Sequence, residues 1–435
     1  MVLPKRQPPF YCSQYFLNML YCHVAYFCGY RNNSCQLSLR LLSRWLTVPG
    51  QVGNAAVREC QKRCNGYVPE PEDLMKDRIY VCHTFYHVLI TFLKEFELRA
   101  KDDRDKGATL VLSLMSNNFG GLKDRIEELG FFEEVIEFDE KRESFFPELA
   151  ELKKDRGNIV SNMIQRIKFT SAFAKAQEPF VPVDFREYRD VYVYCDTDPI
   201  GLYLNKHKIR YHAIEDGLDC LKTLDLARIS NAGHFKLKTV FASLNLIFIE
   251  NGYSKYCIDM EINDRSVLQY DYKKYKVVPR KPLYDRLTQA DKEILLSAFV
   301  ENKSEIEKIA EELKMSGSRA VLILSDPLTD LETRKKIMQD LIETYGRNKE
   351  GSRSIVFIKP HPRDVLDYRT EFPDYPQISP TVPMELLGFF ENLHFDTVVS
   401  VYTELGAITF ADEKIRLGHD FMDKYEPVEM HRHKI

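Results

Sequence analysis

The sequence predicts an α/β protein made of two units of alternating strand and helix, preceded by an extension of different character. Three observations lead there. Short apolar, β-branched runs recur along most of the chain, and each gives way to a polar corner and then to residues at helical spacing. Two of those corners, Glu215–Asp216–Gly217 and Lys359–Pro360–His361–Pro362, carry ionisable groups and lie too far apart in sequence to belong to one such unit. A stretch rich in turn formers, Asn65 to Asp73 with Pro69 and Pro71, separates these units from what precedes them. The boundaries expected are an extension over 1–76, a first unit over 77–315 and a second over 316–435.

The extension holds six of the ten cysteines, Cys12, Cys22, Cys28, Cys35, Cys60 and Cys64. It has no CxxC pair, and Cys60 and Cys64 with His23 lack the spacing of a zinc knuckle, so no metal is expected. Residues 9–30 carry no Asp, Glu, Lys or Arg and are rich in aromatics, but Ser13, Gln14, Asn18 and His23 interrupt them. That pattern fits an interfacial or protein-packed helix better than a membrane span or a signal peptide. Arg40, Arg44, Lys62 and Arg63 give the segment after it a basic balance, which suits an anionic membrane surface. The competing reading is an ordinary packed appendage.

The first unit opens with a strand over Arg78–Thr84 and a helix from Tyr86 to about Ala100, with Val88, Leu89, Phe92, Leu93 and Phe96 on one face and Thr84 as its cap. Thr109–Leu114 reads as a strand, Gly121–Leu129 as a helix and Glu134–Phe138 as a strand. Phe146 to about Lys175 is helical with a solvated charged face. Val191–Cys195 is a strand ending in Asp196, Thr197, Asp198 and Pro199, where Asp196 either positions hydroxyls or makes an Asx turn. Tyr211–Ile214 is the strand that reaches the first ionisable corner. Leu244–Ile249 is compatible with strand or helix, and the Tyr-, Lys- and Asp-rich residues up to Lys276 suggest short strands in irregular connections.

A helix with Phe299, Ile306, Ile309 and Leu313 inward ends at Ser316–Gly317–Ser318. Ala320–Leu324 then starts the second unit as a buried strand, Leu331–Tyr345 is a helix, and Ser354–Ile358 is the strand that ends at the second corner. Two prolines there cannot supply ladder donors, so they stop the strand and hold His361 at its end. A helix is expected from Thr381, with Glu385 near its first turn. Thr397–Ser400 is a strand, followed by a helix opening at Tyr402, for which Ser400 is either a phosphate-gripping hydroxyl or a plain cap partnered by Glu404.

Open α/β sheets bind ligands beyond the carboxyl ends of their strands. At the first corner, adjacent carboxylates repel each other, which raises the pKa of one and suits it to base work; a solvated acidic turn has the same sequence. At the second, Lys359 beside His361 favours an anion, against the alternative of a basic turn whose lysine ammonium sits in water. A formal charge of −4 and a pI near 6.3, with both signs interspersed, exclude a general nucleic-acid binder. Without a GxGxxG signature there is no reason to expect NAD. The four later cysteines sit mostly in apolar surroundings, as expected of a reduced protein body.

The residues Arg78–Ile90, Glu215–Asp216–Gly217, Lys359–Pro360–His361–Pro362 and Ser400 to Thr403 together resemble the successive motifs of the bacterial lipooligosaccharide and capsule sialyltransferases, glycosyltransferase family 52, and more distantly the polysialyltransferases. The resemblance covers roughly residues 77–420. It implies a GT-B fold of two Rossmann-like domains facing across a cleft, CMP-sialic acid as donor, a glycan or glycolipid acceptor, no cofactor and no required metal. It implies an acidic member of the first corner as base, with Glu215 preferred and Asp216 open, and His361 as the group that meets the departing CMP phosphate. Lys359 and Pro360 belong to the same motif. Ser400 and Thr403 take the phosphate-binding hydroxyl positions, although Val401 and Tyr402 separate them, and Glu385 lies where the ribose is met.

Direct displacement at the anomeric carbon would invert it. Expected, then, is a metal-independent cytoplasmic enzyme, peripheral at the inner face of the membrane, that builds cell-surface glycan. The rival readings are a transferase using CMP-Kdo or a CDP-polyol, and a non-catalytic glycan-binding protein on the same scaffold.

Overall fold

The computed structural model describes residues 75–101, 107–217, 219–222, 233–347, 354–406 and 408–431. The cysteine-rich, aromatic extension and its expected membrane contact therefore lie outside the described residues. Among these residues no helix is long and apolar enough to cross a membrane.

Two parallel sheets organise the described chain. The first has seven strands: β1 (Lys76–Cys82), β2 (Ala108–Ser113), β3 (Glu134–Phe138), β4 (Tyr188–Val193), β5 (Tyr211–Ile214), β6 (Cys257–Ile262) and β7 (Tyr275–Val277), in the order β3-β2-β1-β4-β5-β6-β7. The second has four, β8 (Ala320–Leu324), β9 (Ile355–Lys359), β10 (Phe395–Ser400) and β11 (Ala411–Arg416), in the order β11-β10-β8-β9. Every ladder is parallel. Strands buried on both faces read as continuous apolar runs, as β8 does with all five residues buried. One apolar cluster runs through both sheets, from Tyr80, Leu110 and Tyr194 by way of Leu296 and Phe299 to Leu322, Phe357 and Phe395.

In the first sheet the strand order reverses at β1, which lies between β2 and β4; in the second it reverses at β8, between β9 and β10. Such reversals splay the connections apart and leave a crevice at the strand ends. The two ionisable corners lie at the carboxyl ends of β5, which is flanked by β4 and β6, and of the edge strand β9, beside these reversals rather than at them.

The helix Phe85–Arg99 begins where expected, because the Thr84 hydroxyl accepts the backbone N–H of His87. Its buried Glu95 takes both Nε and Nη2 of Arg78, at 2.7 and 2.9 Å, and the Tyr80 hydroxyl at 2.6 Å, so β1 and the helix are tied by charge as well as by apolar contact. The helix Pro199–Lys206 approaches the end of β4 so closely that a Cβ at Gly201 would lie 2.2 Å from the Asp196 carbonyl oxygen, and only glycine fits there. Gly317, at φ +64°, ends the helix Lys303–Ser316 in the left-handed conformation.

Five expectations differ from the fold. Phe146 to Lys175 is not one helix but a 3-10 segment, Pro147–Lys153, and a helix, Ile159–Ala176, that starts afresh at its own Asn158 cap. Phe299 ends a separate helix, Gln289–Phe299, before Lys303–Ser316 begins. Leu244–Ile249 is neither strand nor helix; Asn245 and Asn251 are left-handed, at φ 61° and 68°, so the segment turns while burying Ile247 and Ile249. Thr381–Leu387 gives a 3-10 turn, Met384–Phe389, rather than an α-helix. No helix opens at Tyr402: the Val401 and Tyr402 N–H groups donate to the Asp326 carboxylate, and Glu404 pairs with Arg416 at 2.6 Å instead of closing a cap.

A buried ion pair fastens the ends of β1 and β2 to the segment after β3. His83 Nε2 lies 2.7 Å from Glu140, whose carboxylate also accepts the Ser113 hydroxyl at 2.5 Å and the Ile200 N–H at 2.7 Å. Burial alone would lower the His83 pKa, but Glu140 and Asp198 reverse this and raise it to about 9. A raised folded-state histidine pKa gives stability that is complete below about 6.5 and is lost as pH rises through 9. His83→Ala is expected to cost roughly 3–5 kcal/mol by leaving Glu140 buried and unpaired. Denaturant melts at pH 6 and pH 9.5 check both statements: the difference between variant and parent should shrink at the higher pH.

Candidate active site

The first corner leaves β5 as Glu215–Asp216–Gly217. Glu215 is 1% exposed; its N–H donates to the Glu261 carbonyl, and its Oε2 accepts the Asn263 N–H at 2.8 Å. Burial raises its pKa, while the Asn263 N–H and the charge of Arg280 act against the rise. Asp216 is placed differently. Its side chain is 23% exposed, and Oδ1 lies 2.6 Å from Nε2 of the wholly buried His87.

The other ring nitrogen of His87 fixes the direction of that bond. Nδ1 accepts the backbone N–H of His83 at 3.1 Å, so the proton of the neutral ring is on Nε2 and is donated to Asp216. Burial lowers the His87 pKa, which keeps the ring neutral. Its plane stacks on Tyr194, with centroids 4.1 Å apart and 5° between planes, and the Tyr194 hydroxyl donates to the His87 carbonyl at 2.8 Å. Asp216 is thus an accessible carboxylate held by an immobile donor.

Asp196 neither positions a hydroxyl in the cleft nor makes an Asx turn. It is fully buried and accepts the N–H groups of Asn251 and Gly252, at 2.8 and 3.0 Å, and the Tyr211 hydroxyl at 3.2 Å. It braces a turn, with burial raising its pKa to about 6.

At the second corner β9 ends in Lys359, and Pro360 leads directly to His361. The His361 N–H donates to the Ser325 hydroxyl at 3.0 Å, and its Nδ1 accepts the Arg363 N–H at 3.0 Å. The proton of the neutral imidazole is therefore on Nε2, which has no hydrogen bond within the described residues. Burial lowers the His361 pKa, Arg363 and Lys359 add to this, and Asp326 and Asp364 oppose it. Ser325 is itself anchored, donating to Asp364 at 2.8 Å; Asp364 also takes Arg334 and, at 2.8 Å, the Tyr368 hydroxyl.

Lys359 does not extend into water. It is 5% exposed, its Nζ is 3.4 Å from the Pro380 carbonyl, and burial lowers its pKa to about 8 against the opposing charge of Glu385. Since its folded pKa is depressed, Lys359 weakens the fold at neutral pH by roughly 3 kcal/mol, relieved as pH rises from about 8 to 10.5. A buried, poorly paired ammonium at a strand end is a site feature that costs stability. Lys359→Met is accordingly expected to melt at the same or a higher temperature at pH 7 while binding a nucleotide donor more weakly. Calorimetric melting and titration with the donor would check the two halves separately.

The hydroxyls assigned to phosphate both point inward. Ser400 is wholly buried and donates to the Thr403 carbonyl at 2.7 Å, and Thr403 Oγ1 donates to Asp326 Oδ1 at 2.8 Å. Asp326, at the end of β8, thus collects two amides and a hydroxyl from the loop after β10. Glu385 is exposed, in the first turn of Met384–Phe389.

Tyr86, Arg280 and Tyr284 connect the two halves of the site. Burial raises the Tyr86 pKa; Arg280 opposes this, and the charges of both Glu215 and Glu385 reinforce it. Burial likewise raises the Tyr284 pKa, Glu385 and Tyr86 add to the rise and Arg280 opposes it; the Tyr284 ring lies 6.3 Å from that of Phe389. Glu215 at the end of the first sheet and Glu385 beside the second therefore act on one tyrosine. Arg280, Tyr284 and Asp326 belong to no motif that the sequence displays, whereas Tyr86 lies inside the Arg78–Ile90 motif. His87 lies inside the same motif, in the first turn of the helix Phe85–Arg99.

Two overlapping groups, His83–Cys195–Asp198 and His87–Cys195–Asp216, have ligand atoms within 4.8 Å of one another. The Nε2 atoms of both histidines are already bonded to carboxylates.

Comparison with solved structures finds an α/β-galactoside α-2,3-sialyltransferase from Photobacterium phosphoreum, at 14% identity and a TM-score of 0.42, covering 78% of this chain and 89% of that one. A UDP-GlcNAc 2-epimerase from Neisseria meningitidis matches at 14% identity and TM-score 0.38, covering 74% and 77%. A putative UDP-N-acetylglucosamine 2-epimerase from Listeria monocytogenes matches at 12% and 0.38, covering 75% and 74%. No curated protein sequence matches the chain. The glycosyltransferase family 52 model matches residues 131–410, which include both corners and strands of both sheets. That match spans more than half of a chain built on two parallel α/β sheets, and the chain belongs to glycosyltransferase family 52.

Proposed function

We propose that this glycosyltransferase transfers sialic acid from CMP-sialic acid to a galactoside-type acceptor in cell-surface glycan synthesis, by direct displacement with inversion and without a required metal. The observation that carries the reading is the pairing of an accessible carboxylate, oriented by His87, on one sheet with a His361 that offers its Nε2–H beside buried Lys359 on the other. Asp216 is the base in this reading, in place of the Glu215 preferred from sequence. Its oxygen is reachable by an acceptor hydroxyl, whereas Glu215 is 1% exposed and committed to Asn263.

The acceptor oxygen attacks the anomeric carbon as its proton passes to Asp216. The bond from that carbon to the CMP phosphate oxygen breaks, and its electron pair leaves on the phosphate. His361 donates from Nε2 to that oxygen, and Lys359 adds positive potential. Glu385 meets the nucleotide ribose, and Pro360 fixes the backbone from which His361 projects. Ser400 and Thr403 support the phosphate side through Asp326 rather than by direct contact.

The test is release of CMP by purified protein from CMP-sialic acid, with and without a lactose-type acceptor, in the presence and absence of chelator. Acceptor-stimulated, chelator-insensitive release is expected. Turnover of CMP-Kdo or a CDP-polyol in its place would retain the corners and remove the sialyl assignment.

A further inference from the structure

Arg280 is 6% exposed; its side chain interacts with that of Tyr86, yet its Nε and Nη2 are buried with no hydrogen-bond partner. Its backbone is secured, since its N–H donates to Asn263 Oδ1 at 2.8 Å. Glu215, which feels its charge, gives its Oε2 to Asn263 instead. Buried donors left unpaired are costly, and each calls for a physical account, of which a bound ligand is one.

The two unpaired donors lie on one edge of the guanidinium. Arg78 uses the same edge within this chain, where its Nε and Nη2 reach the two oxygens of Glu95 at 2.7 and 2.9 Å. A planar group with two oxygens is thus the acceptor that fits.

We propose that the Nε and Nη2 edge of Arg280 is the subsite for the carboxylate of the donor sugar, so that the enzyme selects donors whose anomeric carbon bears a carboxylate. The inference rests on the glycosyltransferase reading above and deepens it. In a 2-keto acid sugar the carboxylate is attached to the very carbon that is attacked, so its receptor must stand beside the base. Arg280 belongs to the same corner: its N–H and the Glu215 carboxylate are joined through Asn263, and Glu215 is the chain neighbour of the base Asp216. The phosphate side is elsewhere, with Asp326, Asp364, Arg363 and Lys359 around His361. Because neither nitrogen has a partner in the protein, the carboxylate displaces no hydrogen bond of theirs.

The experiment compares wild type, Arg280→Gln and Arg280→Lys in binding CMP-sialic acid, its carboxylate methyl ester, and CMP. Wild type is expected to prefer the acid to the ester by roughly tenfold to a hundredfold. Both variants should bind acid and ester alike, and all three proteins should bind CMP equally. Arg280→Lys keeps the charge and loses the fork, so it remains informative if the glutamine variant fails to fold. A variant that retains the preference for acid overturns the proposal and leaves the sialyl reading intact. Equal weakening of CMP assigns the edge to phosphate and also overturns it. Wild-type turnover of CDP-glycerol but of neither CMP-sialic acid nor CMP-Kdo overturns both readings together.

Discussion

Asp216→Asn is expected to lower kcat by about 10²- to 10⁴-fold while leaving the melting temperature close to that of the parent. The substitution removes the proton acceptor and little else, because an asparagine Oδ1 can still accept the His87 Nε2–H, now 2.6 Å from Asp216. Retained binding of donor should accompany the lost rate. Glu215→Gln is the contrasting variant: its Oε1 can still accept the Asn263 N–H, so a modest change in turnover is expected, together with a shift in stability. Steady-state kinetics on the two variants decide the assignment. Full activity in Asp216→Asn with collapse in Glu215→Gln would return the base to Glu215.

His361→Ala should be the second severe loss, again about 10²- to 10⁴-fold in kcat, with folding preserved. The ring's described hydrogen bond within the protein is the one it accepts from the Arg363 N–H, and the bond to Ser325 belongs to the backbone, which alanine keeps. The rate loss should depend on the leaving group. A donor analogue that departs as a weaker base needs less help from Nε2–H, so the penalty should narrow with it. An undiminished penalty across leaving groups would make His361 a binding residue only.

Much of this architecture was legible because the physics is local. The run Ala320–Leu324 is buried on every residue and could only be a strand, and Leu331–Tyr345 carries its own cap at Asp330. The same holds for Thr84 and for the proline stop after Lys359. What could not be read depended on partners distant in sequence. The apolar Leu244–Ile249 became a turn because two left-handed asparagines bend it. The loop after Ser400 is not helical because Asp326, from another strand, takes its amides. The burial of Lys359 depends on the segment around Pro380, and the partnerless edge of Arg280 has no sequence motif at all. The acidic pair at 215–216 was visible, but the difference between its members was not, since that comes from His87 and Asn263.

The exclusively parallel ladders have a consequence for how the chain reaches this state. No neighbouring pair of strands can be zipped by a tight hairpin, and β1, in the middle of its sheet, must wait for β4: Lys76 is paired with Tyr188, 112 residues later. Loop closure on that scale precedes the contacts that reward it, so refolding from denaturant should take milliseconds to seconds or longer. During that interval an apolar central strand has an open edge, which favours self-association over correct pairing as concentration rises. On the ribosome, β1 stays unpaired on one side until well over a hundred further residues have been made.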